Sequence, residues 1–131
     1  MRNILITGGA GFIGSNAAYH FLKRGDNVTI FDNLSRNGTK ENLSWLQESN
    51  HSSALDFINA DIVKDKEKLK LAVEDKDVVL HFAAQVAVTT SVSDPREDFE
   101  INALGTFNVL EAVRMSSSRP MVLYSSTNKV Y

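Results

Sequence analysis

Three glycines and one distant aspartate are the residues of this chain whose spacing most clearly serves chemistry. Gly9, Gly11 and Gly14 directly follow a short apolar run, and a helical pattern begins within the same turn. Asp32 stands 18 residues after the last of these glycines, at the end of a second apolar run. Glycines let the backbone approach a pyrophosphate at a helix N-terminus, and the distant carboxylate accepts hydrogen bonds from an adenosine ribose. The combination predicts a dinucleotide site, although the glycines by themselves also fit a purely structural turn.

The elements that must position these residues alternate along the whole chain. Five apolar runs predict strands at residues 3–7, 27–31, 54–59, 77–82 and 120–126. Helical patterns predict helices at residues 12–24, 41–48, 66–73 and 95–115. Continuous apolar strands separated by helices indicate a parallel sheet covered on both faces, and right-handed crossovers give the strand order 3-2-1-4-5. The predicted fold is a Rossmann-type doubly wound α/β sheet, with residues 1–131 as one dinucleotide-binding domain that stops soon after strand five.

Composition narrows the classes of partner. The chain has 131 residues, 43% of them hydrophobic, which is enough for one buried core. A net charge of −2 argues against nucleic acid or an anionic membrane as the main partner. The absence of cysteine excludes disulfides and thiolate zinc sites, and His20 and His51 have no partners at ligand spacing, so no metal is expected. Because no apolar stretch reaches the ~18 residues of a membrane span, a cytoplasmic location is expected.

Ligands of doubly wound sheets bind at the carboxyl ends of the strands, so the residues there form the candidate site. These ends lie at residues 7–8, 32–33, 61–62, 81–85 and 125–127. The anionic Asp32 repels a 2′-phosphate and favours NAD over NADP, a preference that Arg36 would soften. Asp61 is placed to accept a hydrogen bond from the adenine amino group, or else it is a cap or turn residue.

Two other strand ends carry small or polar side chains. Ala83 and Ala84 let the backbone pass close beside a cofactor, or they simply pack beneath a helix. An isolated histidine at a strand end, as at His81, is typical of a hydrogen-bonded core group more than of a base. Residues 125–127 are three consecutive hydroxyl residues where the nicotinamide is expected, which favours a functional role over turn chemistry.

Several stretches resemble the extended short-chain dehydrogenase/reductase family, the nucleotide-sugar epimerases and dehydratases. The match is carried by TGGAGFIG at 7–14, DI at 61–62, HFAA at 81–84 and NALGT at 102–106. Five more stretches look most like the epimerases of CDP-linked dideoxyhexoses: FDNLSR at 31–36, NLSW at 42–45, QVAVTTS at 85–91, DFEIN at 98–102 and YSSTNKVY at 124–131.

The resemblance implies NAD as cofactor, a nucleotide-sugar as substrate and a homo-oligomer for the complete protein. It implies transient oxidation of the sugar at C2, followed by reduction from the opposite face, with Thr127 binding the reacting oxygen as a catalytic residue. The cofactor-binding residues that it implies, together with those found above, are Gly8, Gly11, Phe12, Ile13, Gly14, Asp32, Asn33, Ser35, Arg36, Asp61, Ile62, Phe82, Ala83, Ala84, Gln85, Asn102 and Ser125.

The family's base is a tyrosine in a Tyr-x-x-x-Lys pair, and that pair is expected to be absent from this chain. Members of the family are longer, so the chain is expected to be an amino-terminal fragment with no activity of its own. Strand five would then be a bare edge that promotes association. Two other readings stay open: a non-catalytic NAD-sensing module, and an enzyme of 4-epimerisation or 4,6-dehydration on the same scaffold.

Overall fold

The computed structural model describes residues 1–127, which form a five-stranded parallel sheet. The strands are β1 (Asn3–Thr7), β2 (Asn27–Asp32), β3 (Leu55–Asn59), β4 (Val78–His81) and β5 (Met121–Tyr124). Their order across the sheet is β3-β2-β1-β4-β5, and every neighbouring pair is parallel. The predicted Rossmann-type sheet and its strand order are therefore confirmed. Strand β5 is shorter than the predicted 120–126, because its partner β4 offers only four residues to pair with.

Six α-helices connect the strands. They are α1 (Phe12–Lys23), α2 (Thr39–Gln47), α3 (Lys66–Val73), α4 (Val88–Ser93), α5 (Pro95–Phe99) and α6 (Gly105–Met115), with a short 3-10 helix at Ser52–Ala54. The helix predicted over 95–115 is helical throughout, but its centre, Glu100–Leu104, is a π-helix. Helix α4 was not predicted, because its β-branched sequence VTTSVS has low helix propensity.

Side chains of alternate residues in the central strands pack into two separate cores, one on each face of the sheet. Ile4 and Ile6 of β1 belong to the core beneath α1 and α2, where Leu22 and Leu46 are buried. Leu5, between them, points to the opposite core, which α3 and α6 cover. Because successive side chains of a strand point to opposite faces, this division shows that the sheet is covered on both sides.

The turn after α1 shows how the first crossover ends. Gly25 has a φ of 87°, in the left-handed region that glycine adopts without strain, and its N–H donates to the Leu22 carbonyl. This residue ends α1 as the sequence predicted. The chain then enters β2, which pairs in parallel with β1, so the carboxyl end of β2 lies beside the turn between β1 and α1.

Candidate functional site

A cavity of about 340 Å³ lies at the carboxyl ends of the strands, around the turn between β1 and α1. It brings together most of the residues proposed from the sequence as cofactor contacts: Gly8, Gly11, Asp32, Asn33, Ser35, Arg36, Asp61, Ile62, Phe82, Ala83, Ala84 and Gln85. Its wall also includes residues that the sequence analysis missed, among them Thr39, Thr90 and Glu97. These three residues lie on helices α2, α4 and α5 and not at the ends of strands, so the strand-end rule could not predict them.

The glycine turn is shaped by backbone contacts that leave no room for side chains. Gly8 has a φ of 67°, and a Cβ there would lie 2.6 Å from the Ala83 nitrogen. A Cβ on Gly14 would overlap the Gly8 carbonyl oxygen and lie 2.7 Å from the Gly9 Cα. The turn therefore packs directly against both the loop after β4 and the first turn of α1.

The first turn of α1 is open to an anion. Gly11 is its N-cap and supplies no side-chain acceptor, and the first turn contains no acidic residue. Ser15 is the first residue whose N–H is bonded within the helix, to the Gly11 carbonyl at 2.9 Å. The N–H groups of Phe12, Ile13 and Gly14 precede that bond and have no acceptor within the helix. Free N–H groups and the helix dipole together favour a negatively charged group at this point.

Asp32 already binds two backbone N–H groups of the site. Its Oδ2 accepts from the Ala10 N–H at 3.0 Å, and its Oδ1 accepts from the Leu34 N–H at 2.8 Å. A carboxylate oxygen has two lone pairs, so each oxygen keeps one for a hydroxyl group of a ligand. Asp32 therefore shapes the glycine turn and also offers an acceptor surface to the cavity.

Asp61 makes the contacts of a turn residue. Its Oδ1 accepts from the N–H groups of Val63 and Lys64 at 2.7 and 3.2 Å. Its Oδ2 accepts from the Asn33 side-chain amide at 3.1 Å, which ties the end of β2 to the end of β3. The turn role that the sequence left as an alternative is thus present, and the contact with adenine stays a prediction.

Asn102 lies on the π-helix and holds the loop after β4. Its Oδ1 accepts from the Gln85 N–H at 2.8 Å, while its Nδ2 donates to the Gln85 carbonyl at 3.0 Å and to Asp98 at 3.1 Å. Both amide hydrogens are therefore used within the protein, and Asn102 is not among the residues that line the cavity. A direct contact between Asn102 and the cofactor stays a prediction. Only its Oδ1 could make that contact, because both amide hydrogens are already used.

His81 is a buried, hydrogen-bonded core residue, as expected. Its Nδ1 lies 2.6 Å from the Thr7 hydroxyl, and its Nε2 lies 2.8 Å from the Thr106 hydroxyl. Thr106 donates its own proton to the Asn102 carbonyl, so it must accept from His81 Nε2–H, and Nδ1 must accept from Thr7. Burial lowers the pKa of His81 from 6.5 to about 4, which keeps the ring neutral in this chain of donors.

The predicted residues after β5 lie apart from the cavity wall. Ser125 donates from its hydroxyl to the His81 carbonyl at 3.3 Å, and Thr127 is exposed. Neither is among the residues that line the cavity. The NKVY segment at residues 128–131 lies outside the described residues, so the roles given to residues 125–127 stay predictions.

One tyrosine does have a lysine four residues later, contrary to expectation. Tyr19 and Lys23 form this pair on α1. The Tyr19 ring packs against Trp45 of α2, with ring centroids 4.9 Å apart, and against His51 at 6.1 Å. Because neither Tyr19 nor Lys23 lines the cavity, the pair does not match the catalytic pair of the resemblance.

Residues 1–127 contain neither a cluster of metal ligands nor a membrane-spanning helix. Within this part of the chain, no three acidic or histidine side chains are grouped to hold a metal ion. No helix among these residues has the length and apolar character needed to cross a membrane.

The chain is similar in sequence to known nucleotide-sugar epimerases and dehydratases. The family model described as GDP-mannose 4,6 dehydratase matches residues 5–131. The chain is 46% identical over 129 residues to the CDP-paratose 2-epimerase of Salmonella typhi, a match that covers 98% of this chain and 37% of that protein. It is 41% identical over 128 residues to the UDP-glucose 4-epimerase of Mycolicibacterium smegmatis, covering 97% and 39% of the two chains.

Among solved structures, the UDP-glucose-4-epimerase of Stenotrophomonas maltophila, with bound NAD and formylated UDP-arabinopyranose, matches with a TM-score of 0.84. The sequence identity is 30%, and the match covers 99% of this chain and 38% of that chain. The chain spans 37–39% of the length of the two curated relatives. The chain therefore belongs to the extended short-chain dehydrogenase/reductase family of nucleotide-sugar epimerases and dehydratases.

Proposed function

We propose that residues 1–131 are the NAD-binding part of a nucleotide-sugar epimerase, and that the whole protein is a CDP-paratose 2-epimerase. The observation that carries the NAD proposal is the juxtaposition of the open N-terminus of α1 with the Asp32 carboxylate on one cavity. These are the two groups that a dinucleotide needs, an anion site for its pyrophosphate and an acceptor for its ribose hydroxyls.

The residues of the cavity fit NAD in kind and in position. The N–H groups at the start of α1 would bind the pyrophosphate, and the free lone pairs of Asp32 would accept from the adenosine ribose. Asp61 and Ile62 line the same cavity and would flank the adenine. The loop with Ala83 and Ala84 would pass beside the rest of the cofactor. When bound, NAD⁺ would supply reversible oxidation of a sugar carbon.

The same geometry favours NAD over NADP. A 2′-phosphate on the ribose would face the Asp32 carboxylate, which carries a negative charge and already lies at the cavity wall. Arg36 lines this cavity as well and is exposed, so it would lessen the repulsion without removing it. The preference for NAD therefore follows from the negative charge of Asp32 beside the proposed ribose position.

The choice of reaction rests on similarity to one relative. The Salmonella typhi protein of that name is 46% identical, compared with 41% for the UDP-glucose 4-epimerase of Mycolicibacterium smegmatis. In this proposal Thr127 hydrogen-bonds the reacting sugar oxygen. The base is a tyrosine of a Tyr-x-x-x-Lys pair elsewhere in the whole protein, where the lysine charge lowers the tyrosine pKa.

Calorimetric titration with NAD⁺ and NADP⁺ tests the cofactor. We expect tighter binding of NAD⁺, and we expect Asp32→Ala to weaken it by about 1–3 kcal/mol as ribose hydrogen bonds are lost. Asp56→Ala is the matched control, because Asp56 is an exposed aspartate of the neighbouring strand and does not line this cavity. Tighter binding of NADP⁺, or equal losses in both variants, would contradict the assignment of Asp32.

Turnover assays on the whole protein test the reaction. CDP-paratose, UDP-glucose and dTDP-glucose are each supplied with NAD⁺, and we expect conversion of the CDP-linked sugar alone. Conversion of UDP-glucose or dTDP-glucose instead would assign a 4-epimerase or a 4,6-dehydratase. Binding of NAD⁺ without turnover of any sugar would favour a sensing module.

A further inference from the structure

We propose that Asn42 of helix α2 is a positioning residue for dinucleotide binding, acting through the peptide group that follows Ala10 in the glycine turn. The inference rests on the proposed binding of NAD. Asn42 does not line the cavity, and it does not lie at the end of a strand.

Ala10 is held by side chains on both of its peptide groups. It is fully buried, and its N–H donates to Asp32 Oδ2 at 3.0 Å. Its carbonyl accepts from the Asn42 side-chain amide at 2.9 Å. Because a buried carbonyl without a partner costs free energy, the Asn42 donor is needed where it stands.

The Ala10 carbonyl and the Gly11 N–H belong to the same planar peptide group. The Gly11 N–H donates to the Gly8 carbonyl at 3.1 Å, so this plane is fixed at both ends. Gly11 is also the N-cap of α1. Any rotation of the plane would therefore displace the start of α1, where the pyrophosphate is proposed to bind.

Helix α2 is itself firmly placed, so Asn42 has little freedom to follow such a rotation. Leu43 and Leu46 of this helix are buried in the core that α1 shares. The helix begins at Thr39, whose hydroxyl donates to the Arg36 carbonyl at 2.7 Å. Asn42 therefore links a rigid helix to a turn made of glycines, which by themselves have the widest conformational freedom.

The test separates the amide donor from charge and from general packing. Asn42→Leu removes the donor with little change in shape, and Asn42→Asp removes it and adds a charge. Ser44→Asp adds the same charge on an exposed position of the same helix and is the matched control. Each variant of the whole protein is titrated with NAD⁺ at a temperature where circular dichroism shows it to be fully folded.

We expect both Asn42 variants to bind NAD⁺ about tenfold more weakly, the effect of one lost hydrogen bond, while Ser44→Asp stays within about twofold of the unmodified protein. Should Asn42→Leu fail to fold, Asn42→Ala, which is smaller and has no side-chain donor, replaces it. Unchanged affinity in the neutral variant, even with a lowered melting temperature, overturns the proposal. If the unmodified protein does not bind NAD⁺, the proposed function itself fails.

Discussion

Within residues 1–127, the two halves of the sheet differ in how completely their side chains are buried. In the half formed by β1, α1 and β2, called here the glycine-turn half, Leu5 and Ile6 are fully buried. In the half formed by β4 and β5, the outer strand leaves Met121 67% and Tyr124 59% exposed. The glycine-turn half is thus packed on both faces, whereas β5 is a strand with most of its side chains in solvent.

The polar contacts differ in the same direction. Both backbone groups of Ala10 and both oxygens of Asp32 have hydrogen-bond partners, at distances of 2.8 to 3.0 Å. After β5, the Ser125 N–H and hydroxyl both donate to the His81 carbonyl, at 3.5 and 3.3 Å. The difference teaches that the groups proposed for the adenosine end are held by several short hydrogen bonds, while Ser125, proposed for the reacting end, is held by two long ones.

The largest expected effect tests how strictly the glycine-turn half is packed. Gly14→Ala places a Cβ against the Gly8 carbonyl oxygen and 2.7 Å from the Gly9 Cα, so the backbone of the glycine turn must shift to accept it. We expect the free energy of unfolding to fall by about 4 kcal/mol and NAD⁺ binding to be lost. Urea denaturation and calorimetric titration measure the two effects.

Gly38→Ala is the matched control for that substitution. Gly38 has a φ of 85° just before α2, but a Cβ there meets no atom within 4 Å. Its cost should be about 1 kcal/mol, from backbone strain alone. Equal costs at Gly14 and Gly38 would show that the close packing of the turn contributes little to stability.

The separation along the chain between interacting residues explains which features could be predicted from the sequence. Strand order, the two-sided sheet and the residues of the glycine turn follow from hydrophobic periodicity and from glycine chemistry, which are local signals. The π-helix at Glu100–Leu104 was not predictable in this way, because its Asn102 is satisfied by Gln85, 17 residues earlier. Asn42 was missed for the same reason, since its partner Ala10 lies 32 residues away.

His81 of β4 is hydrogen-bonded to Thr7 of β1, so its titration tests a contact between the two halves. Its folded-state pKa of about 4 is below the unfolded value of 6.5, so the unfolded chain binds more protons between these pH values. The stability that the neutral ring provides is therefore complete above pH 6.5 and is lost as the pH falls toward 4. We expect a loss of about 3 kcal/mol across this window, measured by urea denaturation at each pH.

A substitution identifies His81 as the source of this pH dependence. His81→Gln should be less stable than the unmodified chain at pH 7 and should show a shallower slope between pH 4 and 6.5. His20→Gln should leave the slope unchanged, because His20 is exposed on α1. The same slope in the His81 variant would assign the pH dependence to the carboxylates instead.

The smallest expected effect on stability concerns β5, and it compares one substitution in the two halves. Leu5→Ala in β1 should cost about 3 kcal/mol, because the side chain is fully buried. Leu123→Ala in β5 should cost less than about 1 kcal/mol in residues 1–131, since that side chain is 49% exposed. Denaturation of both variants under the same conditions measures the ratio, and equal costs would show that β5 is covered.

The exposed side chains of β5 should instead control association. An unpaired strand edge with apolar side chains promotes pairing with another chain, and a lysine on the edge opposes it. We therefore expect residues 1–131 to self-associate in light scattering as the concentration rises, and Leu123→Lys to reduce that association. Ser44→Lys, which adds the same charge at an exposed position of α2, is the control for net charge. A stable monomer at high concentration, before any substitution, would mean that the exposed face of β5 does not drive association.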